Sequence, residues 1–298
     1  MRPIALAVIA LFFVAGVSAE ARAACTADKL GVARTLALST KGGFAVGFKS
    51  YPQSLDLGDH ELVLTFDDGP SPKTTPAVLA ALAQQCVKAT FFLIGRNAVA
   101  YPAIVRRELS EGHTIGNHTY SHPILRLLSD AAARRDIEQG FAADGEIAYG
   151  KAEVVPRMPF FRFPGFADTP ALVTWLESRD IGIFGADLWA SDWLKMTPDE
   201  ERKLILERLE KAGRGILLLH DTKESTAAML PALLRDLKTR GFKIVHIIPG
   251  DTKPVLRKAP PGWTSETEAI LAKVLPELKA RRKGTPMPAG AHLPESVE

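Results

Sequence analysis

Apolar, strand-like runs alternate with amphipathic helical stretches along most of this 298-residue chain, and that alternation restricts the fold more than any single motif. Strand character falls at 61–66, 89–94, 113–117, 160–163, 181–186, 215–219 and 243–248. Helical periodicity fills 75–85, 101–111, 130–148, 170–179, 198–212 and 226–240 between them. Repeated strand–helix units imply a parallel sheet, and seven such strands suit a closed or nearly closed barrel. An open doubly wound sheet competes, but no glycine-rich phosphate loop follows the first strand. Local signals agree with these boundaries. Thr197-Pro198-Asp199-Glu200 reads as a capped helix start. Gly112, Gly182, Gly213 and Gly241 stand between a helix and the next strand, where a left-handed cap needs no side chain.

The polar residues are not scattered. Asp67, Asp68, His118, Arg162, Asp187 and His220 all fall at or just after the carboxyl ends of strands, the face on which barrel enzymes assemble their sites. The run through Leu62-Val63-Leu64 reads as a buried strand, and it ends in the adjacent carboxylates Asp67 and Asp68 and a Gly69-Pro70 turn. Neighbouring carboxylates repel, so the pair makes sense if one faces a cation and the other stays free for proton transfer. His118 and His122 lie at i and i+4, one helical turn apart, a spacing that lets both face one metal. With Asp68 they make a three-ligand set that leaves a position open for water or substrate. Either histidine alone would read as an ordinary surface or capping residue. Two neutral nitrogens and one carboxylate suit a single divalent ion, zinc first, with cobalt, nickel or iron(II) also fitting.

Five short motifs carry the pattern further: Thr65-Phe66-Asp67-Asp68-Gly69-Pro70, His118-Thr119-Tyr120-Ser121-His122, Arg162-Phe163-Pro164-Gly165, Asp192-Trp193 and Leu217-Leu218-Leu219-His220. With all five in this order, the chain resembles the polysaccharide deacetylases of the NodB-homology type, carbohydrate esterase family 4, over about residues 45–250. The resemblance implies an α/β fold, a distorted (β/α) barrel with about seven parallel strands. It also implies a metal-dependent hydrolase that removes acetyl groups from N-acetylglucosamine units of a glycan such as chitin oligomers or peptidoglycan. On the family's pattern Asp67 is the general base, Arg162 orients it and keeps it ionised, and Asp68, His118 and His122 hold the metal. His220 is the general acid for the leaving amine, and Asp192 holds its imidazole. The backbone amide of Tyr120 is expected in the oxyanion hole. Trp189, Trp193 and Leu217 or Leu219 are expected around the acetyl methyl, core packing being the plainer fate of the leucines. One departure stands out. The commoner motif has an aspartate three residues before the Asp-Trp pair, where this chain has Trp189, and Asp187 lies two positions earlier. Asp187 is thus left between a catalytic and a structural role, and His60, His113 and His246 are assigned to structure.

Charge and the chain's ends narrow the class. With 37 Lys and Arg against 34 Asp and Glu, the net charge of +3 gives no basic stripe for nucleic acid. Arg2 is followed by an apolar stretch over 4–17, too short for a comfortable bilayer span. Ala21-Arg22-Ala23 then fits a cleavage site, with Val17-Ser18-Ala19 as a second candidate, so 1–23 reads as a secretory signal peptide. Arg22 disfavours a lipoprotein reading of Cys25. The protein is expected to be periplasmic or secreted, without a stable membrane span, and a monomer by default. Cys25 and Cys86 suffice for one disulfide there, the alternative being a buried, unpaired Cys86 at a helix end. Residues 24–44 read as an N-terminal extension and 251–298 as a C-terminal one, with a helix over 266–283, a mobile tail from 284 and no catalytic constellation. Two further functions remain open: an esterase of O-acetyl sugars such as acetylxylan, and an inactive carbohydrate-binding protein, against which the intact motif residues speak.

Overall fold

The computed structural model describes residues 25–151 and 157–282. The expected signal peptide and the tail from 284 lie outside the described residues. In chain order the strands are β1 (Arg34–Leu38), β2 (Phe44–Val46), β3 (Gln53–Leu55), β4 (Glu61–Asp67), β5 (Thr90–Leu93), β6 (Thr114–Asn117), β7 (Phe160–Phe161), β8 (Gly182–Phe184), β9 (Leu188–Trp189), β10 (Gly215–His220), β11 (Lys243–Pro249) and β12 (Leu256–Lys258). The helices are α1 (Thr75–Gln84), α2 (Gly95–Ala100), α3 (Pro102–Ser110), α4 (Asp130–Tyr149), α5 (Pro170–Glu177), α6 (Pro198–Ala212), α7 (Glu224–Thr239) and α8 (Glu266–Arg282).

Ten strands form one sheet in which every pairing is parallel. From β4 the pairing runs through β5, β6 and β7 to β8. The chain then breaks and resumes as β9, which pairs with β10, and β10 returns to β4. The circuit therefore closes through one interrupted strand, a distorted barrel. All seven expected strands belong to this sheet. The short strands β1, β2 and β9 add to it, while β3 and β12 pair antiparallel in a separate ribbon.

Strand alternation explains where the site lies. Leu62, Leu64 and Phe66 pack outward with Val78 and Leu82 of α1 and Leu233 of α7. The alternate residue Val63 packs inward with Phe92, Phe160, Phe184 and Ile216. Because both faces are apolar, the strands read as continuous hydrophobic runs. The inward parity continues through Thr65 to Asp67 on β4 and through Leu218 to His220 on β10, so the catalytic candidates sit at the mouth of the barrel interior.

Most helix boundaries follow their signals. Thr197 and Glu200 form the expected capping box at the start of α6. Gly112, Gly213 and Gly241 have φ of 83°, 71° and 78°. Gly182 is a correction: it lies within β8, and the left-handed residue before it is Asp180, with φ 59°. Its lack of a side chain serves packing instead, since a Cβ there would fall 2.6 Å from the Phe44 ring. A disulfide joins Cys25 to Cys86 just beyond α1, fastening the N-terminal segment to the barrel. No helix among the described residues is long and apolar enough to cross a membrane.

Candidate active site

Arg162, following β7, is wholly buried, and its guanidinium is fully engaged. Nη1 donates to Asp67 Oδ1 at 2.6 Å and to Thr65 Oγ1 at 2.9 Å. Nε and Nη2 donate to the carbonyls of Phe184 and Gly185 at 3.0 and 2.9 Å. The planar fork thus ties the end of β4 to the end of β8 and fixes the Asp67 carboxylate. Burial pushes the Asp67 carboxyl up to about 6 against the pull of Arg162 and His220. That leaves it ionised at neutral pH yet basic enough to accept a proton.

Asp68 turns away from the strand with φ 74°, its carbonyl held by Asn97 Nδ2 at 2.8 Å. Its Oδ1 lies 3.6 Å from His118 Nε2 and 3.2 Å from His122 Nε2. The spacing of the two histidines does not arise from a helix, which corrects the picture of imidazoles one helical turn apart. His118 ends the reach of β6, and Thr119 and His122 take left-handed φ of 67° and 58°. Such backbone persists where the surroundings enforce it. Asp136 of α4 accepts the amides of Tyr120 and Ser121 at 3.0 Å each, and Asn117 Oδ1 accepts that of Thr119 at 3.0 Å. The close approach of α4 requires Gly140, where a Cβ would meet Asn117 Nδ2 and the Thr119 carbonyl carbon at 2.6 Å.

The donor set fits a divalent metal. The ligand atoms of Asp68, His118 and His122 lie within 4.8 Å of one another. Asp68 Oδ1 is buried with no hydrogen-bond partner. His118 Nδ1 donates to the Arg162 carbonyl at 2.8 Å, which leaves Nε2 as the free lone pair. Burial lowers both imidazoles to about 4, so they are neutral, the ligating form. Burial alone would raise Asp68, but His220, His122 and His118 hold it below the ordinary carboxylate value.

Across the mouth, His220 Nδ1 meets Asp192 Oδ1 at 2.7 Å, while Asp192 Oδ2 accepts the His220 amide at 2.6 Å. Nε2 lies 3.8 Å from Asp68 Oδ2. Burial opposes the charged ring, but Asp192, Asp68 and Asp67 outweigh it and raise the imidazole to about 10. Asp67 and His220 are therefore in opposite proton states at neutral pH, one a base and the other an acid.

These residues open into one cavity of about 110 Å³, lined also by Phe166, Trp189, Trp193 and Lys223. Trp193 meets the His220 ring edge-on at 5.9 Å, and Trp189 lies 6.0 Å from Trp193. Two expectations need correction, and the open role of Asp187 is decided. The Tyr120 amide is taken by Asp136 and does not face an oxyanion. The leucine on the cavity is Leu218, on the same strand face as His220, whereas Leu217 and Leu219 pack in the core beneath the helices. Asp187 is tied to structure, its carboxylate accepting from Phe48 N, Ser54 Oγ and Ile216 N at 2.7–2.8 Å. The helix expected over 266–283 is present as α8, but its place at the site was missed: its Ile270, Leu271, Val274 and Leu278 form a cavity wall. No short motif marks that segment, although the parity of His220 was enough to identify Leu218.

The polysaccharide deacetylase family model matches residues 55–170. A peptidoglycan-N-acetylglucosamine deacetylase of Bacillus cereus is 34% identical over 191 residues, covering 63% of this chain and 66% of that protein. A chitooligosaccharide deacetylase of Sinorhizobium fredii is 34% identical over 219 residues, covering 67% of this chain and 95% of that protein. Among solved structures, the Bdellovibrio bacteriovorus peptidoglycan deacetylase Bd3279 aligns with a TM-score of 0.65 at 29% identity, over 73% of this chain and 59% of that one. The chain spans as little as 38% of the length of other relatives it matches. The similarity to the Sinorhizobium protein runs along nearly its whole length, and the same architecture recurs in the solved structures: this chain belongs to the polysaccharide deacetylases of carbohydrate esterase family 4.

Proposed function

We propose that the protein is a metal-dependent deacetylase that hydrolyses the acetamide of N-acetylglucosamine units in a glycan of the peptidoglycan or chitooligosaccharide class. One observation carries the reading: a buried carboxylate and a partly buried imidazole of opposite proton state face one cavity beside a three-ligand donor set. Asp67, aligned by Arg162, takes the proton of the attacking water. His220 delivers its Nε2 proton to the leaving nitrogen, and Asp192 holds the ring through Nδ1. The products are acetate and a free amine. A divalent ion held by Asp68, His118 and His122, with zinc the best match to two nitrogens and one carboxylate, would polarise the acetyl carbonyl and make water more acidic. Trp189 and Trp193 offer faces for the sugar or the acetyl methyl.

The catalytic unit is taken as about residues 45–250, with 1–23 a removed signal peptide, and the protein as periplasmic or secreted. A disulfide between Cys25 and Cys86 supports an oxidising compartment. The test is acetate release from chitooligosaccharides, peptidoglycan fragments and acetylxylan, with and without a chelator. Chelator-sensitive release from the N-acetylated glycans is expected. Release from acetylxylan alone would favour the O-acetyl esterase, and release from none would favour an inactive carbohydrate-binding protein.

A further inference from the structure

Behind Asp192 lies a second buried acid. Glu201, on the first turn of α6, is wholly buried, as is Thr226 near the start of α7. The Thr226 hydroxyl stands 2.8 Å from Asp192 Oδ2 and 2.9 Å from Glu201 Oε1. Both distances require a hydrogen between the oxygens, yet the hydroxyl carries only one. The other must come from a carboxyl group. Asp192 faces the His220 imidazole and accepts its ring and backbone N–H groups, so both of its oxygens are already committed as acceptors. Among the described residues no lysine or arginine pairs with Glu201, the nearest positive group being the His220 ring already held by Asp192, and its Oε2 is buried without a hydrogen-bond partner. A charge there would be uncompensated, whereas a neutral acid is tolerable.

We propose that Glu201 is a positioning residue held as the protonated acid, starting a donor chain from its own O–H to the Thr226 hydroxyl and on to the Asp192 carboxylate, which locks Asp192 onto His220. The groups facing Glu201 are Asp192, His220, Ser225 and Thr226; burial, helped by Asp192 and opposed by Ser225, Thr226 and His220, raises the Glu201 carboxyl to about 7. As pH rises through that value the chain loses its first donor. A second negative charge then appears behind Asp192, and the Thr226 hydroxyl is contested by two carboxylates. Turnover falls while the fold and the substrate-facing wall are unchanged. The kinetic part of this inference rests on His220 being the proton donor; the protonation of Glu201 does not.

Two measurements test it. Infrared difference spectra between wild type and Glu201→Gln should show the carbonyl stretch of a protonated carboxylic acid only in the wild type, fading as pH rises through about 7. In kinetics, Glu201→Gln supplies an amide donor of permanent neutrality. It should turn over at the wild-type rate at about pH 6, where Glu201 of the wild type still holds its proton, and keep its rate where the wild type declines above about 7. Thr226→Val breaks the chain and should lower kcat about tenfold or more with KM unchanged, as for a lost hydrogen bond to a charged group, and Thr226→Ser should restore it. Absence of the protonated-acid band overturns the inference, as does full kcat in Thr226→Val with an unaltered fold. If the wild type releases no acetate from any glycan, the functional reading fails on its own, and the spectra still decide whether Glu201 holds a proton.

Discussion

Removing Arg162 should unfold the site from within, in a manner set by pH. In Arg162→Met the Asp67 carboxylate keeps its burial but loses the 2.6 Å partner, and Thr65 Oγ1 and the Phe184 and Gly185 carbonyls lose their donors. Breaking a buried ion pair from one side costs about 3–5 kcal/mol, a large part of a total stability of about 5–15 kcal/mol. Asp67 lowers that cost by taking a proton. Its carboxyl, already raised to about 6 by burial, must rise further once the guanidinium is gone. A carboxyl with a raised folded pKa binds a proton that the unfolded chain has released, so folding is progressively disfavoured as pH rises through that window. The loss in Arg162→Met should therefore be larger at about pH 8 than at about pH 5. Arg162→Lys keeps the charge but not the fork, and should lose about 2–3 kcal/mol with a weaker dependence on pH. Urea unfolding of the metal-free variants at both pH values, with the slope checked for constancy, reads these differences directly. A loss in Arg162→Met below about 1 kcal/mol, or one equal at both pH values, would refute the reasoning from buried charge.

Three other outcomes are expected. Closing a loop across 61 positions, the Cys25–Cys86 bond should contribute about 4 kcal/mol, so Cys86→Ser or a reductant should lower the unfolding free energy from urea titration by about the same amount. Burial depresses His113 to about 3 and His246 to about 4, so each stays neutral in the folded state while the unfolded chain takes up protons. Stability should thus be lost as pH falls below about 6.5, with a slope of about 1.4 kcal/mol per pH unit for each group, and His113→Gln should flatten the profile measured by unfolding midpoints. His118→Ala and His122→Ala should each lose bound metal by elemental analysis while keeping the folded circular-dichroism spectrum.

The fold was legible because its strands are buried on both faces and its helices on one, which gives two distinct periods in one chain. The interruption between β8 and β9 was not. A strand broken for a few residues and resumed against a new neighbour leaves the same apolar signature as one continuous strand. The six-residue α2 was likewise too short to show a helical period. At the site, Asp67, Asp68, His118, His122, Arg162, Asp192 and His220 are brought together as their motifs suggest. Leu217 was the wrong neighbour because a run apolar on both faces hides its parity, and only the inward polar residue His220 reveals it. Tyr120 failed as an oxyanion donor for a different reason. Its amide is claimed by Asp136 from a helix later in the chain, a long-range contact that no local pattern announces. The wall formed by α8 lay beyond the motifs altogether.

The central claim is that a carboxylate outside the metal-ligand set activates the water. Acetate release from an N-acetylglucosamine oligomer by Asp67→Asn, measured at metal content equal to the wild type, tests it most directly. The account predicts a fall on the order of a hundredfold or more with metal retained, as for the loss of a general base. Undiminished acetate release from that variant would contradict it.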